Sequence, residues 1–114
     1  MLSIEALKEF GANVSEGLRI CVNNESFYLK MVRKAAEDPG YDRLVKALEN
    51  KELKEAFEAA HALKGVYGNL ALLPLYRPMT EMTEHLRGGE DIDYSPYMAD
   101  IGARRNELIR IIEA

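Results

Sequence analysis

Along almost the whole chain the apolar residues return every three or four positions, and nowhere do they alternate over the length of a strand. This spacing lays an apolar stripe along one side of a helix, and each stripe has to be buried against another. The fold class that follows is all-α.

Turn and cap residues divide the pattern into pieces. Ser3 is placed to cap IEALKEF, which Gly11 closes, and Asn13 with Glu16 forms a capping pair that opens VSEGLRICV. ESFYLKMVRKAAED follows, with Leu29, Val32 and Ala36 on one face. Pro39-Gly40 interrupts it and predicts a kink or a split. Tyr41, Leu44, Val45 and Leu48 make the next stripe, and Asn50 is the expected cap of a helix from Lys51 to about Leu70. Pro74 suits the first turn of a helix bearing Leu75, Met79, Met82 and Leu86, which Gly88-Gly89 ends. Beyond the polar stretch GEDID, Ser95-Pro96 reads as a cap followed by the first helical residue. The last helix presents Tyr97, Ile101, Leu108, Ile111 and Ile112.

Short loops between long amphipathic helices predict an antiparallel four-helix bundle. The expected organisation is a single domain over residues 1–114, with short covering helices in 1–23 and the bundle core in 24–113. No repeat, low-complexity segment or interdomain linker breaks it. Starting at Met1 with no linker, the chain reads as a free-standing protein.

Composition narrows the function classes. With a net charge of −4 the chain lacks the basic stripe of a nucleic-acid binder. Neither GxGxxG nor GxxxxGK[ST] is present, so no ATP chemistry or kinase activity is expected. No apolar run approaches the ~18 to 20 residues that cross a bilayer, and the N-terminus does not resemble a secretion signal. A cytoplasmic protein without membrane association is the expectation. Cys21, the single cysteine, rules out an internal disulfide and reads as a small buried hydrophobe.

The unusual stretch is HALKGVYGNL, residues 61–70. It lies inside a helix, yet Gly65 and Gly68 each give up about 1 kcal/mol relative to alanine. On a wheel of about 100° per residue, Ala56, Ala59, Ala62, Leu63, Val66, Leu70 and Leu73 gather on a core arc. The opposite arc holds Phe57, His61, Lys64, Gly65, Gly68 and Leu72. His61 therefore points outward, and the glycines, one and two turns further along its face, leave bare backbone instead of packing notches. A second macromolecule gains room to reach the imidazole. Lys64 is placed to neutralise charge on a phosphoryl group at the ring. Phe57 and Leu72 read as the rim of a docking patch. Glu58 is the one local carboxylate able to orient the ring or to touch a partner.

Other uses of histidine fit less well. His85, near a helix C-terminus beside the methionine stripe, reads as structural. A zinc site lacks ligands, since His61 has glycine at i+4 and lysine at i+3. A hydrolase would need a nucleophile or a second carboxylate beside His61.

The set His61, Lys64, Gly65, followed by a small Gly68 and an apolar Leu70, resembles the histidine phosphotransfer (HPt) family of multistep phosphorelays. The resemblance runs through LKMVRKAAED, LVKALENKELKEAFEAAHALKG and the helix of Met79 and Met82, best over residues 25–90. It implies a phosphotransfer intermediate, not a turnover enzyme. His61 would accept phosphoryl from an aspartyl phosphate on a response-regulator receiver domain or a hybrid sensor kinase. Lys64 would be its electrostatic partner, and Gly65 the clearance position. Magnesium belongs to the receiver, so no cofactor or metal is expected on this chain. Ala71 stands where the family often has glycine, a mild change expected to tighten the helix. The alternative is a non-catalytic helical adaptor that binds receiver or kinase domains without carrying phosphate.

Overall fold

Side-chain oxygens start the first three helices, each such cap being worth about 1 kcal/mol. In the computed structural model, which covers residues 1–114, Ser3 Oγ accepts the Ala6 N–H at 3.1 Å and opens α1 (Ile4–Phe10). Asn13 Oδ1 accepts from Glu16 at 3.3 Å and opens α2 (Val14–Ile20). Asn24 Oδ1 accepts from Phe27 at 3.0 Å and opens α3 (Glu25–Ala36). Gly11 closes α1 in the left-handed conformation its sequence position suggested, with φ 111°.

Pro39-Gly40 splits the helical run, as expected. α3 ends at Ala36 and α4 (Gly40–Glu49) begins beyond the proline. α4 lies along α5 (Leu53–Asn69), and α3 reaches only the far end of that helix. The Tyr28 hydroxyl donates to the Leu70 carbonyl at its far end, and Gly40 lies against Leu63 near its middle. α6 (Leu73–Arg87) and α7 (Ser95–Glu113) complete seven helices, with no strand. α4, α5, α6 and α7 pack in succession, α3 packs on α7, and α1 touches α2 and α7. Tight three-residue connections at 50–52 and 70–72 make α4, α5 and α6 antiparallel neighbours. No helix is long and apolar enough to cross a membrane.

Much of the core comes from the expected stripes, although Leu29, Val45, Leu48, Tyr97, Ile111 and Ile112 of those stripes are only half-buried. Leu44, Leu63, Leu75, Met79, Met82, Ile101 and Leu108 are buried, each side chain worth roughly 1.5–3 kcal/mol over an exposed one. Cys21 is buried among them. On α5 the core face is rotated from its expected position. Ala56, Ala59, Ala60, Leu63 and Tyr67 are buried, Ala62 is exposed, and Val66 and Leu73 are half-buried. The reason is that α4 and α6 flank α5 on two sides, so its buried surface is wider than one arc.

Two expected caps are replaced. Asn50 ends α4 instead of opening α5, because Lys51 turns left-handed (φ 54°) and the Glu52 N–H returns to the Ala47 carbonyl at 2.9 Å. Ser95 is already the first residue of α7, and Asp93 Oδ1 accepts its N–H at 2.9 Å.

The end of α5 also departs from expectation. Ala71 does not tighten the helix but terminates it, at φ 53°. The Ala71 N–H donates to Gly68 and the Leu72 N–H to Tyr67, both at 3.0 Å, closing the last turn. The Ala71 carbonyl then accepts the Asn13 N–H at 3.0 Å, fastening the N-terminal helices to this end.

Candidate functional site

His61 stands near the middle of α5 with its imidazole exposed, as the sequence pattern indicated. One turn earlier, the Phe57 ring stacks on it with centroids 5.6 Å apart and planes 27° from parallel. Phe57 is half-buried and rests on the core, so it holds the imidazole from the N-terminal side. Its ring carries a second load: the Arg87 guanidinium, at the end of α6, lies 5.0 Å from the Phe57 centroid.

On the C-terminal side the ground is open. Gly65 is exposed, and a Cβ built there would meet no atom within 4 Å. The fold itself does not require glycine at this position.

Gly68 is different. A Cβ there would come within 2.7 Å of the Tyr76 ring from α6. The expectation that neither glycine is a packing notch is therefore corrected for Gly68: its missing side chain is where α6 seats Tyr76.

Lys64 is half-buried and belongs to no ion pair. The other two cations nearby are engaged. Arg87 pairs with Glu84 at 3.4 Å. Arg43 of α4 hydrogen-bonds Glu55 and reaches Glu58 at 3.3 Å. The Arg43 hydrogen bond holds the Glu55 carboxyl below the usual carboxylate range. Glu58 thus turns to α4 and makes no hydrogen bond to His61, which removes the ring-orienting role considered for it. Its carboxylate remains exposed there.

Leu72 does not belong to this face. It is fully buried, because α5 has already ended at Asn69 and the left-handed Ala71 carries the chain inward. His85 is elsewhere too, its Nδ1 2.8 Å from Glu90 Oε2 at the end of α6. No three His, Cys, Asp or Glu side chains gather as a metal site.

The structure thus unites Phe57, His61, Lys64 and Gly65 on one exposed face. It adds Arg87, Arg43 and Tyr76, which come from neighbouring helices and leave no trace in the periodicity of α5. The arrangement can present a nucleophilic imidazole to a macromolecule, with bare backbone on one side and one uncommitted ammonium a turn away.

Neither a comparison with curated proteins nor one with solved structures gives a match. The family model for the Hpt domain matches residues 30–114, a span that takes in α4 to α7 and the whole His61 face, and the chain belongs to the Hpt domain family.

Proposed function

We propose that His61 is the phosphoryl acceptor of this histidine phosphotransfer domain. It receives phosphoryl from the aspartyl phosphate of one response-regulator receiver and yields it to the aspartate of another. A ring nitrogen attacks the phosphorus as the bond between phosphorus and the receiver's carboxyl oxygen breaks, and the receiver's carboxylate leaves with that oxygen and its electron pair. The return step reverses this, with the incoming aspartate displacing the imidazole. The receiver brings the divalent metal. This chain brings a positioned nucleophile, a cation and access.

The observation that carries the reading is the pairing of an exposed imidazole, hydrogen-bonded to no protein group, with the empty ground over Gly65. Lys64, free of carboxylates, supports it as the group that meets phosphoryl charge. A helix that needed only stability would carry alanine at position 65.

The test is transfer of radiolabel from a phosphorylated receiver domain to the full chain. Acid-labile, alkali-stable label is expected, absent in His61→Gln and retained in His85→Gln. Stable receiver binding without any label would instead establish the adaptor reading, and label persisting in His61→Gln would move the acceptor elsewhere.

A further inference from the structure

A cleft of about 600 Å³ opens away from His61, where the end of α4 and the start of α5 meet the loop 88–94 and the first turn of α7. This is within the size range of sites that take up a small ligand or a few side chains. Val45, Leu48, Leu53 and Met98 line it, and each is only half-buried although the last three pack on the core. Ile92, on the loop, is 41% exposed. Apolar groups from three helices and a loop thus converge without covering one another.

The charges around them are one-sided. Glu49 stands on the α4 wall, Asp91 and Asp93 stand on the loop wall, and Lys51 is the only cation lining the cleft. None of the four is in an ion pair. The Ser95 N–H donated to Asp93 holds that carboxyl below its ordinary range, so it stays charged. None of these residues belongs to the His61 face.

We infer that the cleft binds a cationic amphipathic peptide segment, an apolar side chain resting on Leu48, Leu53 and Met98 while flanking Arg or Lys residues meet Glu49 and Asp91. Carboxylates on both walls suit a chain with a cation on either side of an apolar residue. A second copy of this chain is a poorer occupant, since its net charge of −4 repels the same rim. The inference is independent of phosphoryl transfer.

The full chain, methyl-labelled, is titrated with Ac-Arg-Leu-Phe-Arg-NH2 and, separately, with Ac-Glu-Leu-Phe-Glu-NH2. Saturable shifts of the Leu48, Leu53, Ile92 and Met98 methyls are expected with the cationic peptide alone, weakening as salt is added. In the double variant Glu49→Gln/Asp91→Asn, affinity should fall about fivefold or more. Both side chains are at the surface, so an unchanged melting temperature and methyl spectrum will show that the variant is folded. Absence of shifts, equal binding of the acidic peptide, shifts centred on Phe57 and His61, or shifts reproduced by raising protein concentration alone would each overturn the proposal.

Discussion

The Phe57 ring stacks on the His61 imidazole at 27° from parallel, 5.6 Å between centroids, and also meets the Arg87 guanidinium 5.0 Å from its own centroid. The imidazole is therefore held by a wall that α6 braces. Replacing Phe57 with Leu keeps an apolar plug but removes the flat surface. Transfer into His61 should slow about three- to tenfold in kcat, with a smaller change in KM, because orientation and not docking is lost. Phe57→Tyr should retain the rate. Stopped-flow transfer from a phosphorylated receiver reads both, and an unchanged kcat in Phe57→Leu would refute the positioning role.

The two glycines of the histidine helix should answer oppositely to alanine. Gly65→Ala meets open space and should raise stability by about 1 kcal/mol. Gly68→Ala drives a methyl into the Tyr76 ring and should lower it by about 1–3 kcal/mol. The cost of Gly68→Ala should be smaller in a Tyr76→Ala background, where the ring it meets is gone. Urea unfolding of the wild type, the three single variants and the double variant checks this. Function should sort the other way: Gly65→Leu keeps the fold yet obstructs transfer.

Alkaline stability should depend on two tyrosines. Burial pushes the phenol of Tyr28 up to about 12, with Cys21 adding to it, and burial does the same for Tyr67. The folded state thus favours the protonated phenols. Their contribution is complete below the ordinary tyrosine value of about 10 and is lost as pH rises from there toward 12, on the order of 2 kcal/mol for each. Unfolding free energies at pH 9, 10.5 and 11.5 should show a decline beginning near 10. Tyr28→Phe should make the decline shallower, while being less stable at neutral pH for want of the bond to Leu70.

Residues other than glycine occupy left-handed backbone at three helix ends, and relieving the exposed ones should stabilise the chain. Val22, at φ 50° and 82% exposed, combines a β-branched side chain with an unfavourable backbone. Lys51, at φ 54°, is also exposed. Val22→Gly and Lys51→Gly should each raise the unfolding free energy by about 1 kcal/mol. Their sum should be additive, since they sit at the ends of different helices. A loss of stability in both would show that these turns are not strained.

The helices were readable in the sequence because their ends carry chemistry that acts locally. Ser3, Gly11, Asn13, Pro74 and Gly88 do their work within a few residues. The outward direction of His61 was readable for a similar reason, since Ala56, Ala59 and Leu63 place the core on the other side of the same helix. What failed depended on other segments. The arc through Ala62 differs from the buried one because two neighbours, not one, cover α5. Leu72 falls on the outer arc only if the wheel is carried past Asn69, and the left-handed Ala71 ends that helix first. Gly68 looked like free space until α6 brought Tyr76 to it. Arg43 and Arg87 could not be assigned to the site at all, since only folding brings α4 and α6 beside His61.

The joint at the end of the histidine helix has a bearing on where this protein can be cut. Two carbonyls there, those of Leu70 and Ala71, rely on Tyr28 and Asn13 for their partners, and both donors precede the segment by which the family is recognised. A fragment trimmed to that segment would keep every group around the imidazole and still lose the bolts on one end of its central rod. The stretch that identifies the molecule is shorter than the stretch that holds it together.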